Sequence, residues 1–469
     1  MFRLRCGVRL AGVCAVVLGG ASLASAQGAV SVNRDLAKLM ESGPVYAGPG
    51  IVGQPLGPDA AAGRGFSAGN TTLMSWLSLA DFPGDQLSAN DCWGYTSPSG
   101  REYAIIGLRS GFGFVEITDP VNPVIVGVVP GNSSIWRDVK VVGAYAYGVN
   151  ESGNGIQVMD LSRIDEGVVS HVRDKRQQGH STTHNIAANP DSGYLYLLGG
   201  NVANGGLVAV DTSNPTNPTF AGSWNGNYIH DAQIVSFTEG PYAGRELAFG
   251  CNGNKIWIID VTNKSNMFQV SQLQYTGARY CHQGWLSADR RYFYVNDEFD
   301  EARGRDVTTT HIFDVSDIEN PSYAGWGTSG LPASDHNNYW HEGRLYQANY
   351  RSGLQVLDAT DPLNLHRVAW FDTHPESDNA GFTGSWSCYP FFASGSVIIS
   401  DMTRGLFVVR LGEPCVGDFN GDDAVDTQDV LEFLNAWTTG DASADTNGDG
   451  TVNTLDVTTF LNAWVEGCG

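Results

Sequence analysis

Two sets of residues have types and spacings that could do chemistry. Near the C-terminus, "DFNGDDAVDTQD" places Asp418, Asn420, Asp422, Asp426 and Asp429 at positions 1, 3, 5, 9 and 12 of a loop, with the Ala424 carbonyl at position 7. "DTNGDGTVNTLD" repeats the pattern with Asp445, Asn447, Asp449, Asn453 and Asp456, and with the Thr451 carbonyl. Such oxygen-only ligand sets suit a hard cation, so two calcium ions are expected. In the middle of the chain, "THNIAA", "IHDAQI", "CHQGWL" and "DHNNYW" align His184, His230, His282 and His336 in one column. Four imidazoles at one height would bind zinc, copper, nickel or iron, or form a structural polar ring around a wet channel.

Both sets need elements to position them. Each acidic loop runs into a segment of helical apolar spacing, "DVLEFLNAW" and "DVTTFLNAW", so two loop-plus-helix units are expected. Asp rather than Glu at position 12, and Asp423 rather than Gly at position 6 of the first copy, depart from a standard EF-hand. The histidines belong to a longer repeat. "GFVEITD", "GIQVMDL", "GLVAVDT", "KIWIIDV", "THIFDVS", "GLQVLDA" and "GLFVVRL" recur roughly every 50 residues, each preceded by further short strands such as "GAYAYGV" or "GYLYLLG". Four strands per unit make a propeller blade, whose faces are buried only when neighbours stack on it. The fold class read from this pattern is all-β, a seven-bladed β-propeller, with a small C-terminal all-α calcium-binding module. "MSWLSLADF", residues 74–82, matches the strand that should follow "GLFVVRL" and could close the ring.

Aligning the first strand of every blade fills the His column with Asp91, Arg137 and Ser387 in the other three. The next column holds Cys92, Asp138, Asn185, Asp231, Gln283, Asn337 and Cys388, and its polar members would suit hydrogen bonding to metal-bound imidazoles. "VNDEFDEARGRD", residues 295–306, sets Asp297, Glu298, Asp300 and Glu301 near Arg303 and Arg305, which could ligate calcium but reads rather as a solvated loop with internal ion pairs. Trp136, Trp224, Trp285, Trp340 and Trp386 could line a mouth or pack between blades.

The tail resembles the dockerin type I module over about 50 residues, through its duplicated Asp-x-Asn-x-Asp loop, its Asp at position 12 and its single helix after each loop. That resemblance implies a calcium-ordered attachment module with a cohesin-like or other extracellular protein partner. The phrases "GIQVMDL", "GLVAVDT" and "GLQVLDA", several followed by "NP", resemble the LVIVD repeats of choice-of-anchor B family proteins. This second resemblance implies a common repeat domain joined to one of several attachment segments. It implies no reaction.

The first 26 residues carry Arg3, Arg5 and Arg9, an apolar stretch and "ASA" before Gln27, the pattern of a secretory signal peptide. Residues 27–70 read as a low-complexity, loosely packed leader, 71–412 as the propeller and 413–469 as the dockerin-like module. Removing the signal takes the formal charge from -23 to about -26, which disfavours nucleic acid and anionic membrane surfaces. No later apolar run reaches transmembrane length. The six remaining cysteines suggest disulfides in an exported protein: Cys92 with Cys388 across the ring closure, Cys251 with Cys281, and Cys415 with Cys468 around the tail. No Gly-x-Ser-x-Gly elbow, phosphate-binding loop or His-Glu-x-x-His helix is present. A secreted scaffold or binding protein is therefore the favoured function. The alternative is a metal-dependent extracellular enzyme, such as a hydrolase, built on the His column.

Overall fold

The "GLVAVD"-type segment of each repeat becomes the third strand of a four-stranded antiparallel sheet, and seven such sheets form the propeller. The computed structural model describes residues 43–412, 416–420, 425–447 and 451–467. The first strands, Ala89–Thr96, Arg137–Val142, Asn185–Asn189, Asp231–Ser236, Cys281–Leu286, Asn337–His341 and Ser385–Tyr389, touch one another in succession and close last to first. They therefore line the central channel. Neighbouring blades bury both faces of a middle strand, which is why all seven residues of Glu102–Leu108 are buried, its leading Glu included.

Two local devices repeat around the ring. The Asp that ends the third strand in blades two to six accepts a hydrogen bond from the backbone N–H two residues on, at 2.7–3.0 Å. This Asx turn directs the chain toward the fourth strand, so the terminal Asp of the repeat has a structural role. A register shift then falls between the third and fourth strands of each blade. Such a bulge increases the local twist of the outer strand.

The ring closes as the sequence suggests. Thr71–Leu77 pairs with Gly405–Leu411 as the outer strand of blade seven. The segment before it differs from the expected loose leader. Ile51 bridges Trp76, Leu56 bridges Leu73, Pro58–Ala62 is a short helix, and Ala68–Gly69 adds a fifth strand to blade six. Leu56, Ala61 and Phe66 are buried with the facing residues of blades six and seven, and Trp76 stacks on Phe407 at 5.1 Å. Few but well-placed apolar residues thus fix residues 43–70 against the closure, despite their Gly- and Ala-rich composition.

The propeller cysteines are buried thiols. Cys388 packs between blades six and seven, whereas Cys92 packs between blades seven and one, so the expected Cys92–Cys388 staple is not formed. Cys251 and Cys281 share the core between blades four and five, close enough for their thiols to hydrogen-bond. Cys415 and Cys468 lie outside the described residues, as does the proposed signal peptide.

Candidate metal centre

The four aligned histidines come together at the beginning of the inner strands. The ring centroids of His184 and His230 are 4.4 Å apart, those of His230 and His282 4.3 Å, and those of His282 and His336 4.2 Å. Trp386 continues the series, 4.4 Å from His336. In three cases Nδ1 meets a backbone carbonyl of the next blade: His230 to the His282 carbonyl at 3.2 Å, His282 to that of His336 at 2.9 Å, and His336 to that of Trp386 at 2.6 Å. A carbonyl only accepts, so Nδ1 must carry the proton and, in the neutral ring, Nε2 the lone pair. His184 makes the same choice with the Glu151 carboxylate, at 2.5 Å. This is the tautomer a metal-binding histidine needs, with its other nitrogen already oriented. The orienting groups are main-chain carbonyls and Glu151, not the neighbouring Asn, Asp and Gln side chains expected from the sequence. Asn185 instead donates to the His230 carbonyl at 3.0 Å.

The residue that joins the histidines is Glu298, which the sequence offered only within the acidic stretch 295–306 and never beside the His column. It is fully buried, with one carboxylate oxygen 3.7 Å from His282 Nε2 and the other 3.8 Å from His336 Nε2. Tyr350 donates its hydroxyl proton to Glu298 at 2.5 Å. The three ligand atoms of His282, Glu298 and His336 lie within 4.8 Å of one another. Two imidazole nitrogens and one carboxylate around a point form the ligand set of a divalent transition metal with open positions. Tyr280, Phe299, Tyr350, Phe382 and Trp386 pack beside it as a buried aromatic cluster, which lowers the local dielectric.

The acidic insertion after the second strand of blade five is therefore not a solvated loop. Asp297, Glu298, Asp300 and Glu301 are all buried. Asp297 accepts from the Tyr275 hydroxyl and the backbone N–H groups of Arg279 and Tyr280, which pins the insertion against the start of blade five. Asp300 pairs with Arg305 at 2.6 Å. Asp297, Asp300 and His311 form a second buried group whose ligand atoms fall within 4.8 Å. Burial, Asp335 and Asp300 push Glu301 up to about 12, and burial with Asp300, Asp297 and Glu298 raises Asp335 well above the usual carboxylate range. So many acids with so few cations call for bound protons or bound metal. Strand register gives no signal for the place of Glu298: Cys281 pairs with Asp297, which sets Glu298 opposite Tyr280, and the register shifts at His282.

The column itself needs correction in two blades. Blades one and seven stand one position out of it, with register shifts beside Cys92 and Ser387. Asp91 bonds Lys140 at 3.0 Å, on the tier of Asp138 and Asp231 rather than that of the histidines. Trp386, not Ser387, follows His336. Arg137 is buried beside Phe112. His180 is buried outside the column, its imidazole lowered to about 4 by desolvation, and His341 packs on Phe391.

The tail forms the two expected helices, Thr427–Thr439 and Thr454–Glu466. Their loops are closed by the residue at position 12. Asp429 accepts from the backbone N–H of Asn420 at 3.1 Å and of Asp426 at 2.8 Å, and Asp456 does the same for Asn447 at 3.2 Å and Asn453 at 2.7 Å. Asp426 and Asn453 cap the helices in return, completing two capping boxes. Each helix also reaches the other loop: Trp437 Nε1 donates to the Asn453 carbonyl at 2.8 Å, and Trp464 Nε1 to the Asp426 carbonyl at 2.7 Å. Phe433 stacks on Phe460 at 4.2 Å between them. Asp418 and Asp445 are among the described ligands, whereas Asp422, Ala424 and Asp449 lie outside the described residues.

The dockerin type I domain family matches residues 416–463, and the LVIVD repeat family matches residues 193–226. No curated protein sequence matches the chain. Among solved structures, a protein from Lactobacillus plantarum is 13% identical, with 67% of this chain and 89% of that chain covered and a TM-score of 0.47. Hydrazine synthase from Kuenenia stuttgartiensis is also 13% identical, with 68% and 94% covered and a TM-score of 0.48. Among the described residues, no helix is long and apolar enough to cross a membrane.

Proposed function

Because the chain joins an LVIVD-repeat propeller, consistent with a choice-of-anchor B protein, to a dockerin type I module, we propose that it is a secreted scaffold or binding protein. Its tail attaches it to a cohesin-like or other extracellular protein partner once calcium orders both loops. The carrying observation is the cross-linked pair of loop-helix units, in which the Trp of each helix holds the loop of the other. Calcium bound by Asp418, Asn420, Asp422, the Ala424 carbonyl, Asp426 and Asp429 would set the first helix. Asp445, Asn447, Asp449, the Thr451 carbonyl, Asn453 and Asp456 would do the same for the second. Titrating the calcium-free full chain with calcium should take up two ions and increase helical ellipticity. Capture by a cohesin module should then require calcium and be lost in an Asp418→Ala, Asp445→Ala double variant. Capture that persists in chelator, or intact calcium uptake by that variant, would refute this reading.

The arrangement of His282, His336 and Glu298 supports a second reading, a metal-dependent extracellular enzyme such as a hydrolase. Zinc, copper, nickel or iron there would supply Lewis acidity and an activated water. Tyr350 holds Glu298, the main-chain carbonyls hold the imidazole tautomers, and the aromatic cluster excludes bulk water. His184 and His230 extend the set, and Asp297, Asp300 and His311 offer a neighbouring place for a second cation. Elemental analysis should find transition metal in the wild-type chain and its loss from folded His282→Ala, together with any turnover. A folded wild-type chain without transition metal, after exposure to these ions, would rule out the centre.

A further inference from the structure

Farther along the same inner strands, the channel widens into a cavity of about 430 Å³ with walls from all seven blades. That volume lies within the range of small-molecule sites. Two features define its chemistry. The deep end carries Asp91, Lys140, Asn185, Asp231 and Asn337, while Trp93, Trp285, Tyr339 and Phe391 build one wall. The wall is rigid: Trp285 meets Tyr339 edge-on at 5.0 Å, Trp93 meets it at 6.1 Å, and Phe391 packs against both Trp285 and Tyr339 at 6.0 Å. Ala187 and Ala188 leave the opposite side open.

The deep end has more acceptors than donors. Lys140 is held by Asp91 at 3.0 Å and Asp138 at 2.6 Å, and its ammonium lies 4.5 Å above the Trp93 ring. Its charge is shared first by these two carboxylates and acts on Asp231 from beyond ion-pair distance, while burial raises the Asp231 carboxyl to about 7. Asp231 faces the cavity with its Oδ1 on the adjacent Ala232 N–H, and among the described residues no Lys, Arg or His lies within ion-pair distance of it. Asn337 Oδ1 is a further buried acceptor that meets no hydrogen-bond donor. At the outer rim, Arg290 donates to the Ser236 carbonyl at 2.6 Å and lies over Phe237, while Asp191 adds another carboxylate. Aromatic faces attract cations, and a carboxylate in a partly dry cavity strengthens that attraction.

We propose that this cavity binds a small organic cation, a protonated amine or quaternary ammonium, with its charge against Asp231 and its carbon skeleton against Trp93 and Trp285. A neutral polyol would satisfy the acceptors without using the aromatic faces electrostatically, and an anion would meet three carboxylates around one ammonium. The site adjoins the histidine row, since Asn185 at its deep end donates to the His230 carbonyl.

The test is calorimetry and tryptophan fluorescence on the full chain with choline, cadaverine and, as the uncharged control, myo-inositol. Saturable one-to-one binding of choline or cadaverine, with myo-inositol at least tenfold weaker, is the expected result. Asp231→Asn, nearly isosteric, should weaken the cation at least tenfold. Trp285→Leu should weaken choline more than it weakens cadaverine. Equal or tighter binding of myo-inositol, no binding of either cation at 10 mM, or unchanged affinity in folded Asp231→Asn would overturn the proposal.

Discussion

Asp372 offers a quantitative test of how the ring closure is held. It follows the outer strand of blade six, where its backbone N–H reaches the Ser67 carbonyl at 2.8 Å and its carboxylate accepts from the His374 N–H at 2.7 Å. Burial pushes its carboxyl up to about 7 from an ordinary 3.8, aided by Asp378, Asp401 and Glu376 and opposed by the His374 bond. A raised carboxyl pKa means that the folded chain holds the proton more tightly than the unfolded chain. Folding stability is therefore lost as pH rises from about 4 to about 7, and the loss stays constant above that window. Roughly three pKa units at about 1.4 kcal/mol each set a ceiling near 4 kcal/mol, and residual solvent access at 7% exposure brings the expected cost to about 2–4 kcal/mol. Asp372→Asn keeps the acceptor for His374 and removes the charge. It should raise the stability of the propeller by about 2–4 kcal/mol at pH 8, by about 1.5 kcal/mol or less at pH 5, and not at all near pH 4. Urea unfolding of both chains at these three pH values, followed by fluorescence and circular dichroism, measures the difference. A gain independent of pH, or a loss at pH 8, would refute the reasoning.

Other perturbations address separate parts of the chain. Phe460→Ala removes the stacked partner of Phe433 and should cost about 3–5 kcal/mol, enough to leave the tail without stable helix unless calcium is saturating; the far-ultraviolet spectrum against calcium concentration reads this. Trp464→Phe deletes one indole bond to the Asp426 carbonyl and should weaken one of the two calcium-binding steps by about fivefold, equivalent to about 1 kcal/mol; equal affinities in the two proteins would contradict the cross-linking. Under oxidation, peptide mapping should recover a Cys251–Cys281 disulfide and leave Cys92 and Cys388 as thiols, because only the first pair shares one interblade core. Deleting residues 43–77 exposes the Gly405–Leu411 edge and should promote aggregation, measured by light scattering.

Much of the architecture was legible because each blade repeats one solution to the same packing problem. The apolar third strand and its terminal Asp announce the blade, since the Asp makes the turn that every copy needs. The closing strand was legible in place but not in extent: of residues 74–82 only 74–77 belong to the strand Thr71–Leu77, and Leu79–Asp81 turns away as a short helix. The histidines were visible through alignment, but their acidic partner was not. Glu298 lies in an insertion, where no repeat constrains the reading, and a run of acids resembles a solvated surface until the fold places it inside. Blades one and seven stand one position out of the histidine alignment, and a register shift accompanies each, as it also does at His282 in blade five, which keeps its place. The order of residues 43–70 was hidden for a different reason: three buried side chains and two bridges carry it, too few to produce a periodic signal.

The closure also sets a timetable. A chain made from its N-terminus presents Thr71–Leu77 long before Gly405–Leu411, the strand that will receive it, has been synthesised. Six blades can assemble from contiguous stretches while that early segment waits with its backbone unpaired. Completion therefore depends on the most sequence-distant pairing in the propeller, a contact whose search is slow relative to the hairpins within each blade. The helix at Pro58–Ala62 and the strand at Ala68–Gly69 dock on parts of the ring that are likewise made late. A chain interrupted before residue 405 would thus leave Thr71–Leu77 exposed without the strand that receives it.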